Sequence, residues 1–249
     1  MRYFIKINYD GTTFKGWQIQ PNDVSVQEEI EKVLSIILNQ PTTIVGCGRT
    51  DAGVHAKNYI AHFDYEQELP KKFILRINKM LPSAISITSI KKVNKTAHAR
   101  FDAATRTYKY FINFKKDPFL NLRSYWIHSY EFNLDKMNDA AQRLLSYTDF
   151  TTFEKKGSDN KTSLCKIYDA KWEVIDENQW CFTITANRFL RNMVRRITGT
   201  LLMVGLNRIT IDEIESALNK RDILEVNIAP PAHGLFLWEI TYPTNIYID

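Results

Sequence analysis

The chain has 249 residues, of which 44% are hydrophobic and 24% charged, and its net charge is +5. This composition is typical of an ordinary soluble globular protein with one large domain or two of average size. Lys and Arg are spread along the whole chain, and this distribution excludes binding by a disordered basic tail. The basic excess is compatible with a polyanionic partner. Three distant cysteines without C-x-x-C spacing argue against a disulfide framework or a zinc site and predict a reducing cytoplasm. We expect no signal peptide and no membrane span.

The first half of the chain predicts the order strand, helix, strand, loop, strand, helix, strand. Alternating apolar residues indicate the strands, a capping box of Ser25 and Glu28 marks the start of the first helix, and Pro41 ends it. The other predicted elements are strands at 3–9, 42–47, 59–65 and 85–93 and a helix at 70–81. This order is that of the ferredoxin-like split βαβ arrangement, an antiparallel sheet with helices on one side.

The second half predicts a similar set of elements. Strands are expected at 105–114, 164–175, 179–186 and 235–242, and helices at 134–145, 187–204 and 211–218. No linker rich in Gly, Ser or Pro separates the halves, and a hinge is expected near 101–104. We therefore predict an α+β protein with two ferredoxin-like (RRM-like) domains, residues 1–103 and 104–249, that share a large, mostly antiparallel sheet.

The stretch from Gly48 to Ala56 places an acid, a base and a histidine between two glycines, directly after an apolar run. Glycines on both sides of Arg49 and Asp51 suggest a backbone held where a side chain would not fit, as in loops that aim a reactive group. In a cleft, the guanidinium would keep the nearby carboxylate ionised. The alternative is a turn with an exposed ion pair, which contributes only about 0–1 kcal/mol.

Cations and aromatic residues recur in the second half. On the predicted helix 187–204, Arg188, Arg191 and Arg195 fall opposite the apolar stripe with no intervening acid, which favours a phosphate-bearing partner over a merely solvated face. On the predicted strand 105–114, Arg106 lies on the same face as Tyr108 and Tyr110. Such a face can stack a base beside a phosphate contact, or it can be simple cross-strand packing.

These segments together resemble the TruA family of tRNA pseudouridine synthases over residues 3–243. The match consists of an ordered series of motifs: Tyr9-Asp10-Gly11, Phe14-x-Gly16-Trp17-Gln18-x-Gln20, Gly48-Arg49-Thr50-Asp51-x-Gly53-Val54-His55-Ala56, Ala99-Arg100-Phe101-x-Ala103, Arg106-x-Tyr108-x-Tyr110, Asp149-Phe150-x-x-Phe153, Phe189-Leu190-Arg191-x-Met193-Val194-Arg195, Ala229-Pro230, Gly234-Leu235 and Tyr242-Pro243.

The resemblance implies a catalytic cleft between the two domains. It implies that Asp51 is the catalytic aspartate, that Arg195 is the basic residue paired with it, and that Tyr108 stacks on the target uracil. Arg49 matches a loop residue that helps to extrude the target nucleotide, and Leu235 is expected to contact the substrate.

From the basic helix face and the strand face described above, we expect Arg188, Arg191 and Arg106 to contact the RNA. Cys165 stands where the family commonly has arginine, so we expect one phosphate contact to be lost or to be supplied by Lys166. The implied reaction is the isomerisation of uridines 38, 39 and 40 in the tRNA anticodon arm by a homodimer, without metal or cofactor. Attack of the carboxylate on C1′, attack on C6 and removal of a ribose proton all remain open.

Two other functions would explain part of these features. A non-catalytic RNA-binding protein of the same fold would explain the cations and aromatic residues, but not Asp51, because an acid in a phosphate groove weakens binding. A hydrolase that uses Asp51 and His55 lacks an accompanying serine or cysteine motif. We therefore favour a packing role for His55.

Overall fold

The computed structural model describes residues 1–128, 131–155, 157, 161–224 and 228–248. These residues form two compact units, Met1–Thr105 with Phe236–Asp249, and Arg106–Leu235. The expected domains were 1–103 and 104–249; the contacts instead group the residues after Leu235 with the first unit. No helix in the described ranges is long and apolar enough to cross a membrane.

The strands and helices confirm the predicted α+β class. In chain order they are β1 (Arg2–Tyr9), α1 (Val26–Leu38), β2 (Val45–Gly46), β3 (His55–Asp64), α2 (Phe73–Met80), β4 (Ile85–Val93), β5 (Thr105–Asn113), β6 (Tyr125–Trp126), α3 (Leu134–Arg143), β7 (Ile167–Asp176), β8 (Gln179–Ala186), α4 (Met193–Gly205), α5 (Ile211–Lys220) and β9 (Leu235–Thr241).

In the first unit, β1 lies between β3 and β4 and pairs antiparallel with both. β2 pairs antiparallel with β3, so these four strands have the ferredoxin-like order β4-β1-β3-β2. Next to β2, β9 pairs in parallel with the start of β3, through His55 and Ala56. Ser25 caps α1, because its Oγ accepts the Glu28 N–H at 3.3 Å, and the apolar face of α1 is buried. α1 packs against α2.

In the second unit, β8 pairs antiparallel with β5 and with β7. The β7–β8 hairpin was predicted, whereas β6, which pairs in parallel with β5, was not. α3 packs against α4 and β7. The main difference from the predicted elements concerns α4, which begins at Met193 rather than near residue 187, while its apolar stripe is buried as expected.

Candidate active site

Asp51 lies in the loop that joins β2 to β3. Its carbonyl oxygen accepts the N–H of Val54 at 3.1 Å, and this turn contains Gly53 at φ +77°. That dihedral is one that favours glycine, as the sequence predicted. Gly48 is different, because its φ is not positive and a Cβ there would meet no atom within 4 Å. The expectation that both glycines avoid a steric conflict is therefore wrong for Gly48.

The residue before Asp51 is fixed to the end of β1 and to the segment that follows it. The hydroxyls of Thr50 and Tyr9 form a buried hydrogen bond of 2.8 Å, and the Thr50 carbonyl accepts the Trp17 N–H at 3.2 Å. Gly16 has φ +98°, and a Cβ on it would lie 2.4 Å from the Thr50 oxygen. This close approach requires glycine, and it holds the backbone next to the candidate carboxylate in one position.

Buried aromatic rings support the start of the same loop. Tyr59 on β3 is fully buried and stacks on Trp17 at a centroid distance of 4.1 Å. Its hydroxyl donates to the Gly48 carbonyl at 2.5 Å. Burial raises the pKa of Tyr59 well above its ordinary value, so the hydroxyl stays a neutral donor. The loop is therefore anchored from inside the first unit on both sides of Arg49.

His55 is 2% exposed and faces the end of β1. Its Nδ1 accepts the Gly11 N–H at 3.1 Å and lies 3.2 Å from a carboxylate oxygen of Asp10. Its ring stacks on Phe236 at a centroid distance of 4.5 Å. These contacts favour the packing role over a hydrolytic partnership with Asp51. Asp51 itself is half-buried, and Arg49 is exposed.

Tyr108 lies on β5 opposite Ile184 of β8 and is half-buried. The edge of its ring meets Phe189 at a centroid distance of 5.2 Å and an interplanar angle of 88°. Phe189 therefore supports the Tyr108 ring, and the sequence did not single out this role. The geometry suits a ring that stacks on a base, because T-shaped packing fixes the orientation of an aromatic side chain.

Arg195 lies in the first turn of α4, and its Nε donates to the Pro230 carbonyl at 2.8 Å. Pro230 can come this close to α4 because residue 199 of the helix is glycine. A Cβ at that position would lie 1.9 Å from the Ile228 oxygen. The segment that contains Pro230 therefore approaches the helix closely. An aliphatic side chain at position 199 would displace it.

The same segment continues to Leu235, which is buried. The hydroxyl of Tyr110 on β5 donates to the Pro231 carbonyl at 2.8 Å, and a Cβ on Gly234 would lie 2.6 Å from the Tyr110 ring. Burial raises the pKa of Tyr110, and the positive charge of Arg195 opposes this shift. Arg195 therefore belongs to a packed group with Tyr110 and residues 230–235.

The structure corrects the predicted basic helix face. Arg188 and Arg191 precede α4, because the backbone at Asn192 is left-handed (φ +65°) and the helix begins one residue later. Arg188 instead donates to the Thr162 carbonyl at 3.1 Å, and Arg191 is exposed. The helix carries a second cation that the charge pattern did not indicate: Arg196 donates to the Glu154 carbonyl, and burial lowers its pKa.

Asn187 brings three of the predicted RNA-binding residues together. Its Oδ1 accepts the backbone N–H groups of Lys166 and Arg188, each at 2.8 Å, and its carbonyl accepts Nη1 of Arg106 at 2.7 Å. No sequence pattern indicates this role of Asn187, because two of its three partners, Lys166 and Arg106, lie 21 and 81 residues away. Beside this group Cys165 is buried, and desolvation raises the pKa of its thiol to about 11.

The candidate residues thus occur in both units. Asp51 and Arg49 lie in the first unit; the second contains Tyr108, Arg195, Leu235, Arg106, Lys166, Arg188 and Arg191. Within the described residues, no group of three or more His, Cys, Asp or Glu side chains could hold a metal ion.

Comparison with known proteins identifies the family. A family model described as tRNA pseudouridine synthase matches residues 140–243. The tRNA pseudouridine synthase A of Bacteroides fragilis is 46% identical over 248 residues, covering 99% of this chain and 98% of that protein. The Parabacteroides distasonis protein of the same name gives the same identity and coverage. The Bacillus subtilis protein is 37% identical over 247 residues, covering 97% and 99%. The chain therefore belongs to the tRNA pseudouridine synthase A family.

Proposed function

We propose that the protein isomerises uridine to pseudouridine at positions 38, 39 and 40 of the tRNA anticodon arm, with Asp51 acting on a flipped-out nucleotide. The observation that carries this proposal is the anchored Asp51 loop, with Thr50 fixed by Tyr9, Trp17 and Gly16. The chain that contains it matches tRNA pseudouridine synthases A along almost their whole length.

The chemistry needs one well-placed carboxylate. The N1–C1′ bond breaks, the uracil rotates, C5 bonds to C1′, and the proton of C5 is replaced by one on N1, so no atom is gained or lost. Asp51 could attack C1′, attack C6 or remove a ribose proton, and each route requires its ionised form. We propose that Arg195 supplies the compensating positive charge.

Access to C1′ requires the nucleotide to leave its stem, at a cost of a few kcal/mol. We propose that stacking of the uracil on Tyr108, worth about 1–3 kcal/mol, offsets much of this cost. Arg49 would occupy the space that the nucleotide leaves. The cations around Asn187, together with Arg191, would contact phosphates.

The decisive experiment is to incubate the protein with unmodified tRNA transcripts and to map pseudouridine by carbodiimide-dependent stops of reverse transcription. We expect stops at positions 38–40 with the wild type. Asp51→Asn should lower the rate about 10³-fold or more while tRNA still binds, because the carboxylate takes part in bond making and breaking. Retention of tens of per cent of the activity would reject the role of Asp51. Binding without any modification by the wild type would favour the non-catalytic RNA-binding alternative.

We further propose that the protein acts in the cytoplasm as a homodimer. The support for the dimer is the family resemblance, which implies a homodimer. Sedimentation at micromolar concentration should then give twice the chain mass of 29.1 kDa. A monomer at that concentration, with full activity, would contradict this assembly.

A further inference from the structure

One motif of the sequence has no part in the reaction described above: the turn at residues 98–102, which presents Phe101 to solvent. Phe101 is 74% exposed, yet the turn is tightly hydrogen-bonded. The His98 N–H donates to a carboxylate oxygen of Asp102 at 2.7 Å, and the Asp102 N–H donates back to the His98 carbonyl at 3.0 Å. The Arg100 N–H donates to His98 Nδ1 at 3.1 Å. The exposed ring is therefore displayed by a defined backbone.

The turn is also attached to the sheet of the first unit at three points. The Ala99 N–H donates to His62 Nδ1 on β3 at 3.1 Å, and the Ala99 carbonyl accepts the Tyr242 hydroxyl at 2.6 Å. Arg2 on β1 donates to the Ala97 carbonyl at 2.9 Å. Bonds to three separate segments of the chain hold the turn rigidly against β1 and β3.

Phe101 ends a series of ring contacts that begins in the core. From the buried Phe4, the centroid distances are 6.3 Å to His62, 4.8 Å from His62 to His98 and 4.3 Å from His98 to Phe101. Desolvation, with Arg2 nearby, lowers the pKa of both imidazoles, that of His62 to about 4. They are neutral at pH 7, so the series offers an uncharged stacking surface whose last ring faces water.

The ten residues before Phe101 are positively charged, whereas the carboxylate of Asp102, which follows it, accepts the His98 N–H. Residues 91–100 contain four exposed cations and no acid. The Arg100 guanidinium lies 5.7 Å from the centroid of the Phe101 ring. A single exposed aromatic ring beside a guanidinium is poorly suited to an apolar protein partner. It matches a flat ring that is linked to a phosphate, because base stacking and phosphate contact are how proteins bind unpaired nucleotides.

We propose that Phe101 stacks on an unpaired base of the bound tRNA, with Arg100 at an adjoining phosphate. The turn contacts β3 at His62, seven residues beyond His55, where the Asp51 loop ends. At about 3.3 Å per residue, these two points lie roughly 23 Å apart along the strand. The turn is thus a second RNA contact, remote from the target uridine. The identity of the ligand as tRNA rests on the proposed function, whereas the location of the stacking site rests on the geometry of the turn.

The test measures the Kd of an unmodified tRNA transcript in the Asp51→Asn background, where the RNA stays unreacted. Phe101→Ala should raise the Kd about tenfold, within the range expected for loss of one base stack. Phe101→Leu should do the same because it retains apolar area without an aromatic face, and Phe101→Trp should bind at least as well as the parent. The matched control is Ile36→Ala on α1, which removes a side chain that is 65% exposed and should leave the Kd unchanged.

A direct readout is ultraviolet crosslinking of tRNA that contains 5-bromouridine, with a crosslinked peptide expected at Phe101. An unchanged Kd in Phe101→Ala would overturn the proposal. If that variant also sedimented differently, the ring would be assigned to contacts between copies of the chain. Pseudouridine formation by Phe101→Ala with unaltered KM and Kd would refute this contact alone. Phe101-dependent binding by a wild type that forms no pseudouridine would refute the proposed activity alone.

Discussion

At the scale of single residues, the position of the Asp51 loop depends on glycine at position 16. Gly16→Ala places a methyl group 2.4 Å from the Thr50 oxygen on a backbone of φ +98°, well inside van der Waals contact. We expect a loss of about 1–3 kcal/mol in the free energy of unfolding, and a lower kcat because the loop must move. Urea unfolding and turnover of tRNA transcripts measure the two effects.

Gly48→Ala is the matched control for Gly16→Ala, since Gly48 lies in the Asp51 loop itself, with open space where a Cβ would be. It should leave stability unchanged or raise it by up to about 1 kcal/mol through the lower entropy of the unfolded chain. If both variants lost stability equally, the close contact between Gly16 and Thr50 would not be what fixes the loop.

His62 should make the stability of the first unit depend on pH. Its pKa falls from 6.5 to about 4 on folding, chiefly through desolvation and then through Arg2 and His98, while Asp64 and Asp102 oppose the shift. The native state then binds fewer protons than the unfolded state between these values. His62 therefore leaves the free energy of unfolding at its full value above pH 6.5. Below pH 6.5 that free energy should fall by about 1.4 kcal/mol per pH unit as the pH approaches 4.

Urea unfolding at several pH values between 4 and 7 measures this slope. His62→Asn is the control, because an amide oxygen can still accept the Ala99 N–H that His62 Nδ1 accepts at 3.1 Å, but it does not titrate. In this variant the slope of unfolding free energy against pH should be smaller by about 1.4 kcal/mol per pH unit, the contribution of one proton. An identical slope in both proteins would show that other groups account for the pH dependence.

At the scale of elements, local patterns predicted those whose stabilising contacts are nearby. The limits of β4 and β8 agree with the alternation of their residues, and α1 starts after the predicted cap. β3 begins four residues earlier than predicted, because His55 and Ala56 pair with β9, about 180 residues away. A pairing of that kind leaves no mark in a local window of sequence.

The start of α4 was misplaced for a similar reason. Leu190 is buried like the helical residues that follow, so the apolar period continues through it. The Asn187 side chain instead accepts the N–H groups of Lys166 and Arg188, which holds this segment beside the residues before β7. The catalytic candidates came from motif order, whereas the roles of Asn187, Phe189 and Arg196 became visible only through their contacts in the fold.

A further prediction concerns the packing of α4. In an exposed helix, Gly→Ala stabilises by about 1 kcal/mol, but Gly199→Ala would bring a Cβ within 1.9 Å of the Ile228 oxygen. We expect a net loss of about 1–3 kcal/mol from this overpacking. Activity should also fall, because Pro230, whose carbonyl holds Arg195, would be displaced.

Thermal unfolding and single-turnover kinetics test this prediction. Ser216→Ala, at an exposed position in α5, is the control and should gain up to about 0.5 kcal/mol from helix propensity alone. Stabilisation of both variants would show that the segment around Pro230 is free to move away from α4.

At the scale of the whole molecule, a net charge of +5 draws any polyanion to the surface, but only cations that replace counterions on the RNA contribute to specific contacts. Lys166 and Lys32 differ in this respect. Lys166 is exposed beside the group around Asn187, whereas Lys32 is paired with Glu28 and Glu29 on α1 at 3.0 and 3.2 Å. Their replacement by Gln changes the net charge equally.

The dependence of tRNA affinity on salt separates these two roles. A plot of log K against log salt concentration should become shallower by about 0.7–0.9 in Lys166→Gln, because one phosphate contact is lost. Lys32→Gln should leave the slope unchanged, since its charge is already neutralised by two carboxylates. Fluorescence anisotropy between 50 and 200 mM salt, about the range over which such slopes are measured, provides the data. If both variants shifted the slope equally, overall charge rather than the placement of Lys166 would govern the affinity for tRNA.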